Sequence, residues 1–491
     1  MAFPILSVIV LTPLVAGLII LLIPRERKTE VRVTALAAAI LSLVLSIWVY
    51  FAYQVSAGGY QFIEKADWLP FLGISYHMGV DGISVPLVLL TGIVVVAGVL
   101  ISWGVEDRPR EYYAFMMFLA TSIFGVFVSL DLFQLFFFFE IAVFPKYLMI
   151  AVWGSPQTRE YGAMKLTLYL FLGSVIALIG VLAMYFASGL RTFDMIALEK
   201  ANFAPGFQYI WFPAVFFGFA ILGGIFPFHS WAPDGHVAAP TAISMLLAGV
   251  EMKVGAFGAL RAAIMLLPQG AHDWVWLILL LGTINVVYGA FIAMIQTDFK
   301  YVIGFSSVSH MGLVMMGFAT LSREGFLGAG MQMFSHGVMT ALFFAVVGMV
   351  YDRAHTREIS RLGGLFRKMP WAAIGFIIAG FVSMGMPGFS GFVAEFPVFM
   401  GVWRSQPPIY AIIAVLGILL TAAYILRVVS RVFFGDAPVE LAGVSDVTVL
   451  DKVAVSGLAT IMIVLGLFPI LMTPMVQSGV DHIVYLLGVI K

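Results

Sequence analysis

Cysteine is absent from the 491 residues, and its absence removes disulfides, thiolate metal ligands, iron–sulfur ligation and a cysteine nucleophile together. Any redox chemistry must therefore belong to a partner. Charge is scarce as well: Asp, Glu, Lys and Arg make up 11% of the chain, and 26 basic residues balance 26 acidic ones to a formal net charge of zero. No basic tail or stripe is present to track a phosphate backbone, which excludes nucleic-acid binding. What fills the chain instead is apolar, at 62% of residues and a mean hydropathy of +1.05. That is more than the core of a soluble protein of this size could hide, and it is spread over the whole length. The composition implies an all-α polytopic membrane protein.

A spanning helix needs about 20 mainly apolar residues. Fourteen such segments are expected, at 3–24, 31–53, 81–102, 112–129, 132–151, 165–186, 209–228, 241–262, 273–293, 302–320, 329–350, 371–392, 408–429 and 455–476. The first opens at Ala2 with no basic residue before it and no small-residue cleavage site, so it reads as a retained helix and not a signal peptide. Of the Lys and Arg residues outside the segment interiors, seventeen fall in loops after odd-numbered segments and six after even-numbered ones. This positive-inside bias places both termini on the side away from the cytoplasm, with Lys491 at the outer surface. No loop is long enough for a separate soluble domain, so function is expected inside the bundle. The 49 glycines, many within segments, suit close backbone packing.

Ionisable residues inside such segments are costly unless they face the bundle interior or water. Glu140 follows four phenylalanines in the fifth segment and reads as an ion-path acid, with a buried structural acid as the alternative. Lys146, six residues on and past Pro145, lies on a different face; it either joins the path or snorkels to the cytoplasmic interface. Lys253, near the middle of the eighth segment, suits a proton relay, against the alternative of a salt bridge between helices. Glu251, two positions before it, either takes part or simply balances that lysine. Glu395 comes after Met384-Gly-Met-Pro387-Gly388, and His229 and His236 flank Trp231-Ala-Pro233-Asp234; both stretches are expected to break the seventh and twelfth segments within the membrane. The two histidines are poorly spaced for zinc and, with His310 and His336, are better suited to passing or holding a proton.

Ordered motifs along nearly the whole chain carry a resemblance. They are Gly79-Val-Asp-Gly-Ile-Ser84, Pro227-Phe-His229-Ser-Trp-Ala-Pro-Asp234, Leu247-Ala-Gly249, Gln296-Thr-Asp-Phe-Lys300 and Ser306-Ser-Val-Ser-His-Met-Gly312. His336-Gly337, Tyr351-Asp-Arg-Ala-His355-Thr-Arg357 and Pro387-Gly-Phe-Ser-Gly-Phe-Val-Ala-Glu395 complete the set. The sequence resembles the proton-pumping membrane subunits of bacterial NADH:quinone oxidoreductase, respiratory complex I, of the subunit M or mitochondrial subunit 4 type. Mrp-type sodium/proton antiporter subunits and membrane subunits of ion-pumping hydrogenases are its wider relatives.

The resemblance implies fourteen transmembrane helices with both termini periplasmic, in a bacterial inner or other energy-transducing membrane. Three helices would fill 1–110, two inverted five-helix repeats 111–262 and 273–430, and a last helix 431–491. Glu140, Lys253 and Glu395 match the family's charged positions, and His229, His236, His310 and His336 match histidines lining or gating its polar axis. The resemblance also implies that this chain binds no cofactor itself. Flavin mononucleotide or an equivalent, iron–sulfur clusters and quinone belong on partner subunits, among other antiporter-like and quinone-site subunits, in a lipid bilayer. Protons would enter on the side of the seventh segment, reside near Lys253 and leave toward Glu395. One departure stands out. Where the family usually has a lysine, seven residues before His229, this chain has Leu222, and Lys146 is expected to substitute for it as the cation beside Glu140. An Mrp-type antiporter or hydrogenase subunit, and a non-conducting structural subunit, are the alternative readings.

Overall fold

The computed structural model describes residues 3–488; Ala2 and Lys491 lie outside the described residues. The chain runs through α1 (Ile5–Leu22), α2 (Lys28–Ala52), β1 (Gln61–Leu69), β2 (Ile74–Val80), α3 (Ser84–Ile101), α4 (Pro109–Val128), α5 (Leu132–Ile141), α6 (Val143–Trp153), α7 (Arg159–Ala187), α8 (Met195–Leu198) and α9 (Pro205–Ala220). It continues with α10 (Trp231–Ala238), α11 (Thr241–Leu246), α12 (Met252–Gly258), α13 (Pro268–Ile295), α14 (Phe299–Ala319) and α15 (Arg323–Ala354). The last elements are α16 (Pro370–Ser383), α17 (Ser390–Ser405), α18 (Pro408–Val428), α19 (Val449–Leu467) and α20 (Thr473–Leu486). Among the described residues, twelve helices are long and apolar enough to cross a membrane, counting α5–α6 as one and α11–α12 with its flanking π turns as another.

Local chemistry sets where these helices start. Pro109, Pro205, Pro268, Pro370 and Pro408 each stand in a first turn, where the missing N–H costs nothing and φ is already helical. Asp131 and Asp298 cap α5 and α14 by accepting from two backbone N–H groups each.

Two of the expected segments are interrupted. Residues 221–230 separate α9 from α10, and 384–389 separate α16 from α17. Gly224 in the first gap and Gly385 and Gly388 in the second have positive φ, a conformation costly to any side chain with a Cβ. The freed backbone groups are satisfied by protein. Asn285 of α13 accepts from the Phe226 N–H at 2.6 Å and donates to the Gly224 carbonyl at 2.8 Å, and the Trp231 indole donates to the Ile221 carbonyl at 2.8 Å.

The sequence reading missed the β1–β2 antiparallel hairpin between α2 and α3, whose nine- and seven-residue strands are too short and too mixed to register as membrane-length runs. The hairpin ties loops to helices. Glu64 accepts from the Leu6 N–H at 2.7 Å at the start of α1, and Asp131 accepts from the Ser75 N–H at 3.0 Å.

Burial separates centre from rim. The spans Thr241–Ile264 and Arg323–Ala354 are buried along their entire most apolar stretch, whereas Lys28–Ala52 and Pro408–Phe433 are only 33% buried and present apolar side chains outward. A helix buried on all sides belongs to the bundle core, so α11–α12, α14 and α15 form the centre.

Close approach of backbones holds that centre. A methyl group on Gly255 would lie 2.7 Å from the Phe219 carbonyl oxygen and 2.8 Å from the Leu222 carbonyl carbon. Gly255→Ala is therefore expected to push α12 off the α9 gap at a cost of about 1–3 kcal/mol, read as a lowered midpoint of thermal unfolding in detergent. At the end of the same span, Arg261 pairs with Asp81 at 2.5 Å, both side chains 2% exposed. Burial works to raise the Asp81 carboxyl's pKa, but the guanidinium and two backbone N–H donors hold it below the usual carboxylate range. Its contribution to stability is thus complete above about pH 4 and is lost as pH falls through the lowered value. Asp81→Asn is expected to cost about 3–5 kcal/mol by stranding the guanidinium. The double replacement Asp81→Asn with Arg261→Met should regain much of the lost thermal stability.

Candidate functional site

The eighth expected segment is not a plain α-helix. Between α11 and α12 the chain makes a π turn over Leu247–Glu251, a wider i→i+5 turn that leaves carbonyls available to side chains. The Lys253 amine uses one of them, donating to the Ala248 carbonyl, and Lys253 itself is fully buried. Among the described residues Lys253 has no carboxylate partner. Of the readings open for these two residues, the alternatives of a salt bridge from Lys253 between helices and of Glu251 balancing that lysine do not match this arrangement.

Glu251 is instead bonded to Lys146. The amine of Lys146 on α6 donates to Glu251 Oε2 at 2.9 Å, with side-chain exposures of 2% and 1%. This corrects two expectations about Lys146. It does not snorkel to an interface, because its side chain is buried within the bundle and its amine is held by Glu251. Nor is Glu140 its partner here, because Glu251 comes from the facing helix at bonding distance. Glu140 remains half-buried, with Oε1 shielded and without a protein hydrogen-bond partner. Leu222 lines the same small cavity as Lys146 and Glu251, so the lysine amine occupies the neighbourhood of the position where a lysine was missed.

A second group of expected residues is brought together on the buried helices. On α14, His310 Nδ1 lies 3.2 Å from Glu395 Oε1 of α17, and its Nε2 lies 2.9 Å from the Ser383 hydroxyl at the end of α16. Gln332 of α15 donates to Glu395 and lies 3.3 Å from His310 Nδ1. His336, one helical turn along α15, has its ring centroid 5.3 Å from that of His310. His336 is within electrostatic range of Lys253, His310 and His236, and His236 is within range of Lys253 and Lys300. Both ring nitrogens of His236 and of His336 are buried without a protein partner, which in a folded interior calls for water or a proton-transfer role. His229 stands apart. Its ring stacks on Phe226 at 5.5 Å and meets Tyr288 edge-on at 5.1 Å, with Lys165 as its charged neighbour.

Several functional candidates were not singled out from sequence. A cavity of about 270 Å³ opens where α10 gives way to α11, lined by Ala239, Thr241, Tyr112, Lys300, Asp352 and Arg357 among others. The Lys300 amine donates to the Ala239 carbonyl at 2.6 Å. Lys300 stands in one of the quoted motifs, yet it counted only as a loop charge. Asn285, Gln332 and Tyr424, whose hydroxyl donates to Ser306 at 2.7 Å, were overlooked as polar residues in apolar runs, a signal that was available. Among the described residues, no three His, Asp or Glu side chains group as metal ligands.

Comparison with known proteins agrees with this architecture. Residues 129–421 match the transmembrane family of NADH:quinone oxidoreductase and Mrp antiporters. The chain is 36% identical to NADH-quinone oxidoreductase subunit M of Rhodobacter capsulatus, covering 98% of this chain and 96% of that protein. It is also 36% identical to NAD(P)H-quinone oxidoreductase chain 4 of Gloeobacter violaceus, over 98% and 93%. A chain of respiratory complex I from Thermus thermophilus superposes with a TM-score of 0.89 at 28% identity, over 98% of this chain and 99% of that one. A chain of the Mrp complex from Dietzia sp. gives 0.89 at 18% identity over the full length of both, a likeness of fold. The chain belongs to the NADH:quinone oxidoreductase/Mrp antiporter membrane family, as a polytopic proton-translocating subunit related to subunit M of complex I.

Proposed function

We propose that protons cross this subunit along one buried line, from the Lys300 and Asp352 cavity through His236, Lys253, His336 and His310 to Glu395, within a quinone-reducing complex I-type assembly. The observation that carries this reading is the convergence of His236, Lys253, His336, His310 and Glu395. They come from five separate helical elements and are all buried within the bundle. Isolated structural histidines would each find a protein partner; two of these three leave both ring nitrogens unpartnered.

The line has an entrance and an exit. The cavity at α10–α11 lies on the face rich in arginine, where the positive-inside bias puts the cytoplasm. Glu395 and its partner His310, which is hydrogen-bonded to Ser383 beside the gap between α16 and α17, form the far station. Counting α9–α10 and α16–α17 as broken crossings, the chain spans the membrane fourteen times with both termini outside the cytoplasm. Residues 1–110 are then an N-terminal three-helix unit, 111–262 and 273–430 two inverted repeats with one broken crossing apiece, and 431–491 the closing unit. Flavin, iron–sulfur clusters and quinone reside on partner subunits, and their redox chemistry supplies the driving free energy. Moving one charge against 100 mV takes about 2.3 kcal/mol, and a two-unit change in a relay group's proton affinity is worth about 2.7 kcal/mol. Modest rearrangements therefore suffice. Glu140 and His229 lie off this line and serve the first half, where Lys146 and Glu251 are the paired charges.

The test is reconstitution of the purified assembly in proteoliposomes. Lys253→Met should leave subunit assembly intact and lower proton pumping by about 100-fold or more, in medium with or without sodium; unchanged pumping would mean the subunit is only a scaffold. Glu395→Gln should slow pumping severalfold, because the proton leaving His310 loses its charged acceptor. A rate that tracks sodium concentration would favour the antiporter reading.

A further inference from the structure

Another cavity lies apart from the buried proton line, where the β1–β2 hairpin meets the start of α5. About 310 Å³ in volume, it is lined by Asp67, Trp68, Tyr76, Gln134, Phe137 and Phe138, and small-ligand sites begin at about 300 Å³. The strand pairing slips between Asp67 and Leu69. A regular strand would send Asp67 and Trp68 to opposite faces; the irregularity lets both border the same space. We propose that this cavity seats the headgroup of a zwitterionic phospholipid, with the lipid ammonium between the Asp67 carboxylate and the Trp68 ring and the lipid phosphate on the side of the Gln134 amide.

The lining selects that chemistry. Trp68 is 40% exposed, yet edge-on contacts with Phe137 at 5.2 Å and Phe133 at 6.0 Å hold its indole in place, and a fixed indole is the best aromatic partner for an ammonium. Asp67 is exposed and makes no ion pair among the described residues, since Lys65 of the same strand is taken by Asp194 at 2.5 Å. No lysine or arginine lines the cavity, so an anionic headgroup would meet a carboxylate with nothing to neutralise it. Gln134 is fully buried. Its Oε1 accepts from the His77 N–H at 2.8 Å, while its Nε2 has no protein partner, and a buried donor calls for an acceptor. A phosphate or ester oxygen of the same lipid supplies one. An apolar side chain from a neighbouring helix supplies neither the cation nor the acceptor.

The surroundings suit a lipid as well. Trp and Tyr gather where a bilayer meets water, and Trp68 and Tyr76 stand at the head of α5, on the outer side in the orientation proposed above. From there an apolar track leads toward mid-membrane. Phe138 and Ile141, four and seven positions beyond Gln134, share its helix face, and Phe144 follows, 64% exposed and 6.4 Å from Phe115 of α4. Phe138 to Phe144 spans about 9 Å of helical rise, enough for the upper part of one acyl chain, and Glu140 stands about 120° round the helix from Gln134, off the track.

The test uses the purified complete assembly in phosphatidylglycerol vesicles with a trace of phosphatidylethanolamine that carries a photoreactive diazirine high in one acyl chain. Attachment sites are read by peptide mass spectrometry after illumination. Labelling is expected within residues 134–144. It should fall when unlabelled phosphatidylethanolamine or phosphatidylcholine is added and persist when the same amount of diacylglycerol, which lacks the amine, is added. Asp67→Asn and Trp68→Leu are each expected to lower the labelling by about fivefold, with quinone reduction unchanged, whereas Asp67→Glu keeps the charge and should label like the unmodified chain. If Trp68→Leu does not assemble, the exposed Asp67→Asn decides alone. Labelling indifferent to Asp67→Asn, or displaced equally by diacylglycerol, would overturn the site, as would a structure of the assembly with a neighbouring subunit's side chain filling the cavity.

Discussion

An ammonium or carboxylate surrounded by hydrocarbon has to be held by protein or by water, and the arrangement of the bundle follows from that demand. Lys253, His310 and His336 stand on helices with almost no outward side, since α11–α12, α14 and α15 lie wholly or almost wholly inside the molecule, whereas α6 and α17 expose apolar side chains and turn Lys146 and Glu395 inward. The helices that meet lipid, such as α2 and α18, are apolar through their middles. The price of a charged centre is a ring of helices whose main work is shielding.

Shielding alone would make a sealed core. The chain interrupts regular helix at four places near the charges: the gaps at 221–230 and 384–389 and the π turns at Leu247–Glu251 and Ala259–Ile264. Each interruption lies beside a polar contact, through its backbone at the first gap and the first π turn and through a side chain at the other two. Asn285 closes the first gap, Ser383 at the edge of the second meets His310, Ala248 in the first π turn receives Lys253, and Arg261 in the second meets Asp81. Irregular backbone is tolerated inside a membrane where protein surrounds it, and here it sits beside ionisable side chains.

The two halves of the molecule solve the problem differently. In the second half an acid and a histidine share a hydrogen-bonded cluster with Gln332 and Ser383, neutral partners among which a proton can be redistributed without separating full charges. In the first half a lysine and a glutamate from facing helices neutralise each other directly. Leu222, in the gap after α9, lines the small cavity beside them, and the Lys146 side chain reaches this neighbourhood from α6.

Hydropathy and charge placement were enough to read the membrane class, the long apolar helices and the interruptions near Pro227 and Pro387, and to single out His236, Lys253, His310, His336 and Glu395 as candidates, because a charge or a proline inside a long apolar run is visible in one dimension. The pairing of those residues was not. Glu251 lies two positions from Lys253 and Lys146 six from Glu140, yet the bond forms between Lys146 and Glu251, 105 positions apart. The π turn before Met252 and the packing of α6 against the eighth segment decide it together. Which carboxylate a buried lysine meets depends on helix rotation and interhelical approach within a few ångströms, and those are set by packing of the whole bundle, a property that no local stretch of sequence contains.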